Sequence, residues 1–274
     1  MNKKESLSYK QAIADLYSKR SQNYDSSKWH DRIARKLVDC ANIKADSKVL
    51  DIATGTGMVA FYAASKVGML GSVIGIDISE GMLQIANSKM KSSEMPYIKF
   101  EIGDGEALAF EENCFNYIFC GSALIWMTDI QSALAHWRTK LKDNGKIGFH
   151  AFSENAFVAG VIAQSVLEKY NVSYLMNKPT GSVDKCQKLL KQAGYRNIDV
   201  MVDSDGGYIS IDDAKNSWVS VLHPAPGQFP HPIVGMTAQQ LSDAQFNFDC
   251  ELEKLNSEQG IWNDMTTYYV FGEK

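Results

Sequence analysis

Residues 49–64 read VLDIATGTGMVAFYAA. Gly55, Gly57 and Ala60 make a G-x-G-x-x-A pattern there, and an acid, Asp77, follows Gly57 by twenty residues. Glycines so placed let a chain turn sharply from strand to helix and approach a ligand closely. Taken alone, the pattern is that of a dinucleotide site, with the acid on a ribose hydroxyl. A second acid, Asp51, precedes Gly55 by four residues. In a dinucleotide site the helix N-terminus faces a doubly charged pyrophosphate. A carboxylate ~4 Å from such a group costs roughly 4 kcal/mol per charge pair at an effective dielectric near 20. Asp51 suits a ligand that carries positive charge and no phosphate.

The elements that must position these residues alternate. Strand signals fall at 48–52, 72–77, 97–102, 115–120 and 146–152. Helix signals fall at 58–66, 79–90 and 130–141, with Ser79 as an N-cap. Strands and helices at this spacing predict a parallel sheet covered on both faces. Two helices precede it, at 8–22 and 29–42. After it come a helix over 155–170, one over 183–193 ended by Gly194, a strand over 197–202, a polar helix over 237–255 and an aromatic strand over 266–271. Four of the six prolines lie in HPAPGQFPHP, 223–232, a stiff surface loop expected to act as a lid.

The 274 residues carry 45% hydrophobic and 22% charged side chains and a net charge of −4, which suits one soluble domain. No basic run favours nucleic acid. No apolar run reaches the ~18 residues of a spanning helix. The N-terminal MNKKESLSYKQ has no apolar signal core, and the five scattered cysteines lack C-x-x-C spacing, so a cytoplasmic chain with reduced thiols is expected.

Four blocks resemble the class I S-adenosylmethionine-dependent methyltransferases: Val49–Gly57, VIGIDISEGML (73–83), GDGEALAF (103–110) and LKDNGKIGF (141–149). The subgroup they are most similar to includes ubiquinone- and menaquinone-biosynthesis and natural-product methyltransferases. Ala53 stands where the family pattern has its first glycine, and Asn144 replaces a glycine before the fifth strand. The resemblance implies a Rossmann-like α/β fold of seven mostly parallel strands, the last antiparallel, with helices on both faces. It implies a helical flap at 1–47, a cofactor-binding core at 48–152, and lid insertions at 154–182 and 205–265.

It also implies roles. Asp51 would bind the methionine ammonium, with Ala53, Gly55, Thr56 and Gly57 forming the turn around it. Asp77 would accept both ribose hydroxyls, and Ile78 and Met82 would sandwich the adenine. Asp104 would accept from the adenine amine, with backbone contacts from Gly105 and Glu106. Ser122 would lie beside the sulfonium, Tyr24 would close on the methionine end, and Trp126 and His30 would face the substrate. His150, ending the fifth strand, reads either as general base for a hydroxyl acceptor or as a hydrogen-bonded structural histidine. No acid ends the fourth strand to hold magnesium, and no Pro-Pro-Tyr/Phe motif follows it, so neither a metal nor a nucleic-acid substrate is expected.

The expected activity is metal-independent methyl transfer to an O, N or C atom of a small, partly hydrophobic metabolite. The aromatic residues Trp126, Phe152, Phe157, Tyr174, Tyr208, Trp218, Phe229 and Trp262 are candidates for its pocket walls. Two rivals remain: an NAD-dependent oxidoreductase, and a non-catalytic or non-methylating S-adenosylmethionine-binding protein. Monomer and homodimer are both compatible with the sequence.

Overall fold

The computed structural model describes residues 3–26, 28–93, 95–172, 177–218 and 232–274. The alternating segment folds as read: β1 (Lys48–Ile52), α3 (Met58–Val67), β2 (Ser72–Asp77), α4 (Glu80–Lys91), β3 (Ile98–Ile102), β4 (Phe115–Cys120), α5 (Ile130–Lys140) and β5 (Leu141–Phe152). Ahead of it stand α1 (Lys3–Tyr24) and α2 (Lys28–Cys40). After it come α6 (Val158–Glu168), α7 (Val183–Gln192), β6 (Arg196–Asp203), β7 (Gly206–Ile209), α8 (Ile211–Asn216), α9 (Ala238–Leu255), β8 (Ile261–Asp264) and β9 (Thr267–Glu273).

Seven strands form one sheet in the order β3-β2-β1-β4-β5-β9-β6, parallel except for β9, which runs antiparallel to both β5 and β6. Alternation along each strand divides its side chains between two cores. Leu50, Ile52, Ile118 and Phe149 meet α5 and α7 on one face. Val49, Val73 and Phe119 meet α2, α3 and α4 on the other. By the same period Asp51 shares the face of Val49, under α2 and α3.

Caps explain the helix starts. The Ser79 side chain accepts from the Met82 amide, Asp129 from Ser132, and Thr237 and Gln240 form a capping box at α9. The 143–145 turn lies inside β5: Phe115 pairs with Leu141 and Tyr117 with Lys146, so residues 142–145 bulge out, with Asn144 at φ 60°.

In the C-terminal third the helices over 155–170, 183–193 and 237–255 and the strands over 197–202 and 266–271 form as read, within a few residues, and β7, α8 and β8 are added to them. A third core joins α6, α8 and α9 through Ala163, Ala214, Phe248 and Leu252. A separate two-stranded sheet pairs β7 with β8, antiparallel. Its two strands are about fifty residues apart in sequence, and GGYI carries little strand propensity, so periodicity does not reveal it. The aromatic side chains expected to share one pocket are dispersed. Phe152 packs on Phe157 with ring centroids at 4.7 Å, Trp218 on Phe248 at 4.9 Å, and Tyr208 pairs with Trp262 on the two-stranded sheet with both about half exposed. Tyr174, Phe229 and nearly all of the 223–232 loop lie outside the described residues.

At the β1–α3 turn, Gly57 has φ +88°, and a Cβ there would lie 2.7 Å from the Phe100 ring and 3.0 Å from Phe61. Gly57→Ala combines a left-handed backbone with an overpacked core, and should lower unfolding free energy by about 2–4 kcal/mol. Denaturant unfolding at neutral pH measures it. A loss under ~1 kcal/mol would show that the turn and Phe100 readjust.

Candidate functional site

The turn after β1 is built from side chains that satisfy its own backbone. The Thr54 hydroxyl donates to Asp51 Oδ2 at 2.5 Å, and the Thr54 amide donates to the Ile76 carbonyl at 2.9 Å. The Gly55 amide donates to Asp77 Oδ2 and the Ser79 amide to Asp77 Oδ1, both at 2.8 Å. One carboxylate at the end of β2 thus ties the glycine turn to the start of α4. Each of its oxygens keeps a further lone pair. Ala53, at φ +53°, takes a left-handed conformation that a glycine would adopt without strain.

The ends of the parallel strands open into two adjoining cavities, the region where ligands bind in open α/β sheets. The larger, about 760 Å³, holds Asp77, Ile78 and Met82 from the second block and Asp104, Gly105 and Glu106 from the third. Trp126 lines it as well. The smaller, about 430 Å³, holds Asp51, Thr56 and His30. Tyr24, Ala53, Gly55 and Ser122 line both and mark the junction. Two expected site residues lie elsewhere. Gly57 packs against Phe100 instead of facing a cavity. His150 stands behind Ser122, whose hydroxyl lies 2.8 Å from His150 Nδ1.

Burial sets the protonation states. Asp51 is 1% exposed, and desolvation raises its carboxyl to about 7 against the hydrogen bond from Thr54. Its Oδ1 has no hydrogen-bond partner among the described residues. Asp77 is also raised by burial, opposed by the Ser79 and Gly55 amides. Desolvation lowers His150 to about 3, and His30, which stacks on Tyr24 with centroids at 4.3 Å, to about 4. Both imidazoles are neutral near pH 7.

Helix α1 supplies residues that motif reading missed. Tyr9, Lys10 and Ile13 line the larger cavity. Lys10 Nζ lies 2.7 Å from Asp104 and 2.9 Å from Glu106. Glu106, expected to supply a backbone contact, also accepts from the Thr128 hydroxyl and the Asp129 amide, so its carboxylate braces the wall. Trp137 Nε1 donates to the Gly105 carbonyl at 2.6 Å and holds the 103–106 loop. The helical period of α1 is legible in the sequence; the surface it faces is not.

A sequence model of the ubiE/COQ5 methyltransferase family matches residues 5–177. The aklanonic acid methyltransferase DauC of Streptomyces sp. (strain C5) is 32% identical over 155 residues, 56% of this chain and 69% of that protein. A demethylmenaquinone methyltransferase of Staphylococcus saprophyticus is 32% identical over 213 residues, 70% of this chain and 91% of that protein. The crystal structure of YcgJ from Bacillus subtilis aligns with a TM-score of 0.58 at 18% identity, covering 89% of this chain and 98% of that one. Haemonchus contortus phosphoethanolamine N-methyltransferase 2 in complex with S-adenosyl-L-methionine aligns at 0.53 and 16%, covering 90% and 52%. At these identities the two structures share the fold.

The Asp51 carboxyl ionises less readily folded than unfolded, where its value is near 3.8. Its stabilising contribution is therefore complete below about pH 4 and lost as pH rises through 7. The urea midpoint of the ligand-free wild type should fall relative to Asp51→Asn across that window, then keep a constant offset. The buried histidines act in the opposite sense but are common to both proteins. A constant offset from pH 4 to 8 would mean that Asp51 titrates as it does unfolded.

Proposed function

The chain belongs to the ubiE/COQ5 methyltransferase family and is an S-adenosylmethionine-dependent methyltransferase; on that premise we propose that it methylates an O, N or C atom of a small, partly hydrophobic acceptor without using a metal. The nicotinamide reading of the G-x-G pattern is set aside by the family match.

One observation carries the assignment of the site: the charge of its lining. Among the described residues Asp77, Asp104 and Glu106 face the larger cavity against one ammonium, Lys10, and Asp51 faces the smaller with an oxygen that has no partner. Such walls repel a pyrophosphate and accommodate a ligand bearing an ammonium and a sulfonium. The open space around the Gly55 α-carbon leaves room for close approach.

When bound, S-adenosylmethionine supplies a methyl carbon on a sulfonium, already a good leaving group. The residues of the chain hold and align. Asp51 would take the ammonium and Asp77 the ribose hydroxyls through its remaining lone pairs. Ile78 and Met82 would flank the adenine, and Asp104 would accept from its amine. Tyr24 and Ser122, at the junction of the cavities, would border the reacting centre, with Trp126 and His30 meeting the acceptor. Alignment and exclusion of water are the main catalytic contributions of such a site. His150, buried and neutral, would orient the Ser122 hydroxyl from 2.8 Å. The residues before β1 would act as the flap, and 154–182 and 205–265 as the lid. The names of the relatives, acting on demethylmenaquinone and aklanonic acid, support a small-molecule acceptor.

Calorimetric titration with S-adenosylhomocysteine tests the assignment. Wild type should bind it and not NAD. Asp77→Asn should weaken it roughly 30-fold or more, as expected for two charge-assisted hydrogen bonds. Unchanged affinity in a folded Asp77→Asn protein would sink the reading. Wild-type affinity should also rise from pH 6 to pH 8 as Asp51 ionises, a rise absent in Asp51→Asn.

A further inference from the structure

Helix α1 brings a polar group to the larger cavity that no motif accounts for. Tyr9 lines that cavity and is 1% exposed, and its hydroxyl has no hydrogen-bond partner among the described residues. Its ring is fixed by packing with Ile13 and Trp126. Burial, then the charge of Glu106, then Tyr17 hold the phenol above its ordinary value, so it is a neutral O–H donor. A buried hydroxyl left unpaired costs about 1–3 kcal/mol, whereas a phenylalanine would fill the same space without that penalty. The hydroxyl therefore needs an explanation that packing does not provide.

Its surroundings suggest one. The next residue, Lys10, bridges Asp104 and Glu106, which engages two of its three N–H donors. This end of the cavity is thus rich in acceptors. A carboxylate such as Asp104 can accept from an adenine amine but gives nothing to the purine ring nitrogens, which are acceptors themselves. Recognition of that edge requires a donor, and the Tyr9 hydroxyl is a buried donor on this wall with no hydrogen-bond partner among the described residues.

We propose that Tyr9 is a cofactor-binding residue whose hydroxyl donates to a ring nitrogen of the adenine, at the end of the cavity where Lys10 holds Asp104 and Glu106. This rests on the cofactor assignment made above. It makes the seating of α1 and the recognition of the purine a single event, because Tyr9 and Lys10 are successive residues of one helix. Tyr9 and Asp104 then read the base with one donor and one acceptor, from α1 and from the loop after β3.

The test compares wild type, Tyr9→Phe and Leu7→Ala by titration with S-adenosylhomocysteine and by thermal melting of the ligand-free proteins. Tyr9→Phe should bind roughly three- to tenfold more weakly, as loss of one hydrogen bond predicts. Its ligand-free melting temperature should be equal to or above that of wild type, because an unpaired hydroxyl has been removed. Leu7→Ala, a change at an exposed position of the same helix outside the cavity lining, should alter affinity less than twofold. A purely structural tyrosine would move the readouts the other way, with lower melting temperature and unchanged affinity, and that result overturns the proposal. Wild-type binding with Tyr9→Phe equal to it removes the Tyr9 role alone. No binding by wild type removes the cofactor assignment itself.

Discussion

The structure depends on one constraint: two carboxylates are buried side by side at the ends of neighbouring parallel strands. Asp51 pairs in register with Gly75, two residues before Asp77 on β2. Each carboxylate is held by groups of the turn between them, Asp51 by the Thr54 hydroxyl and Asp77 by the Gly55 amide. Desolvation raises both, and the hydrogen bonds restrain the rise without cancelling it. Ionising acids buried this way is unfavourable, and a cation held beside them would offset that cost. The strain at Ala53 and Ser122, both non-glycine residues at positive φ, borders the same site.

A second dependence runs through α1. The helix and the residue that follows it make polar contacts with the core: Lys10 with Asp104 and Glu106, Ser18 with Ser79, and Asp25, just past the helix, with Thr56 and Lys89. Each joint ends on a block that shapes the cavities. The turn, the start of α4 and the 103–106 loop are therefore braced by the same helix that covers them. The ion pairs are partly exposed, and such pairs contribute little individually. Their positions matter more than their sum, because they set where Tyr9 and Tyr24 stand.

The C-terminal third serves a different physical end. Its apolar residues build a core of their own among α6, α8 and α9, and β9 is inserted between β5 and β6 to complete the sheet. Aromatic content there suggested a pocket, yet large apolar side chains are most often used for packing. Trp218 on Phe248 and Phe152 on Phe157 illustrate this. Trp126 alone among the described candidates reaches the larger cavity, because it follows β4 directly and lies where the strands open.

What the sequence determined by itself is local. Period-two and period-3.6 patterns set the core strands and helices, and the spacing of Asp51, Gly55, Gly57 and Asp77 defined a strand–turn–helix ligand site. These features are legible because each is decided by residues within about a turn or one crossover of one another. Tertiary structure decided what depends on distant neighbours. It turned Gly57 toward Phe100 instead of the cavity, placed His150 behind Ser122, and paired β7 with a strand fifty residues away. It gave Asp104 a lysine partner from 94 residues upstream. The physical reason is common to all four: periodicity fixes which residues share a face, but what that face meets is set by the packing of the whole chain.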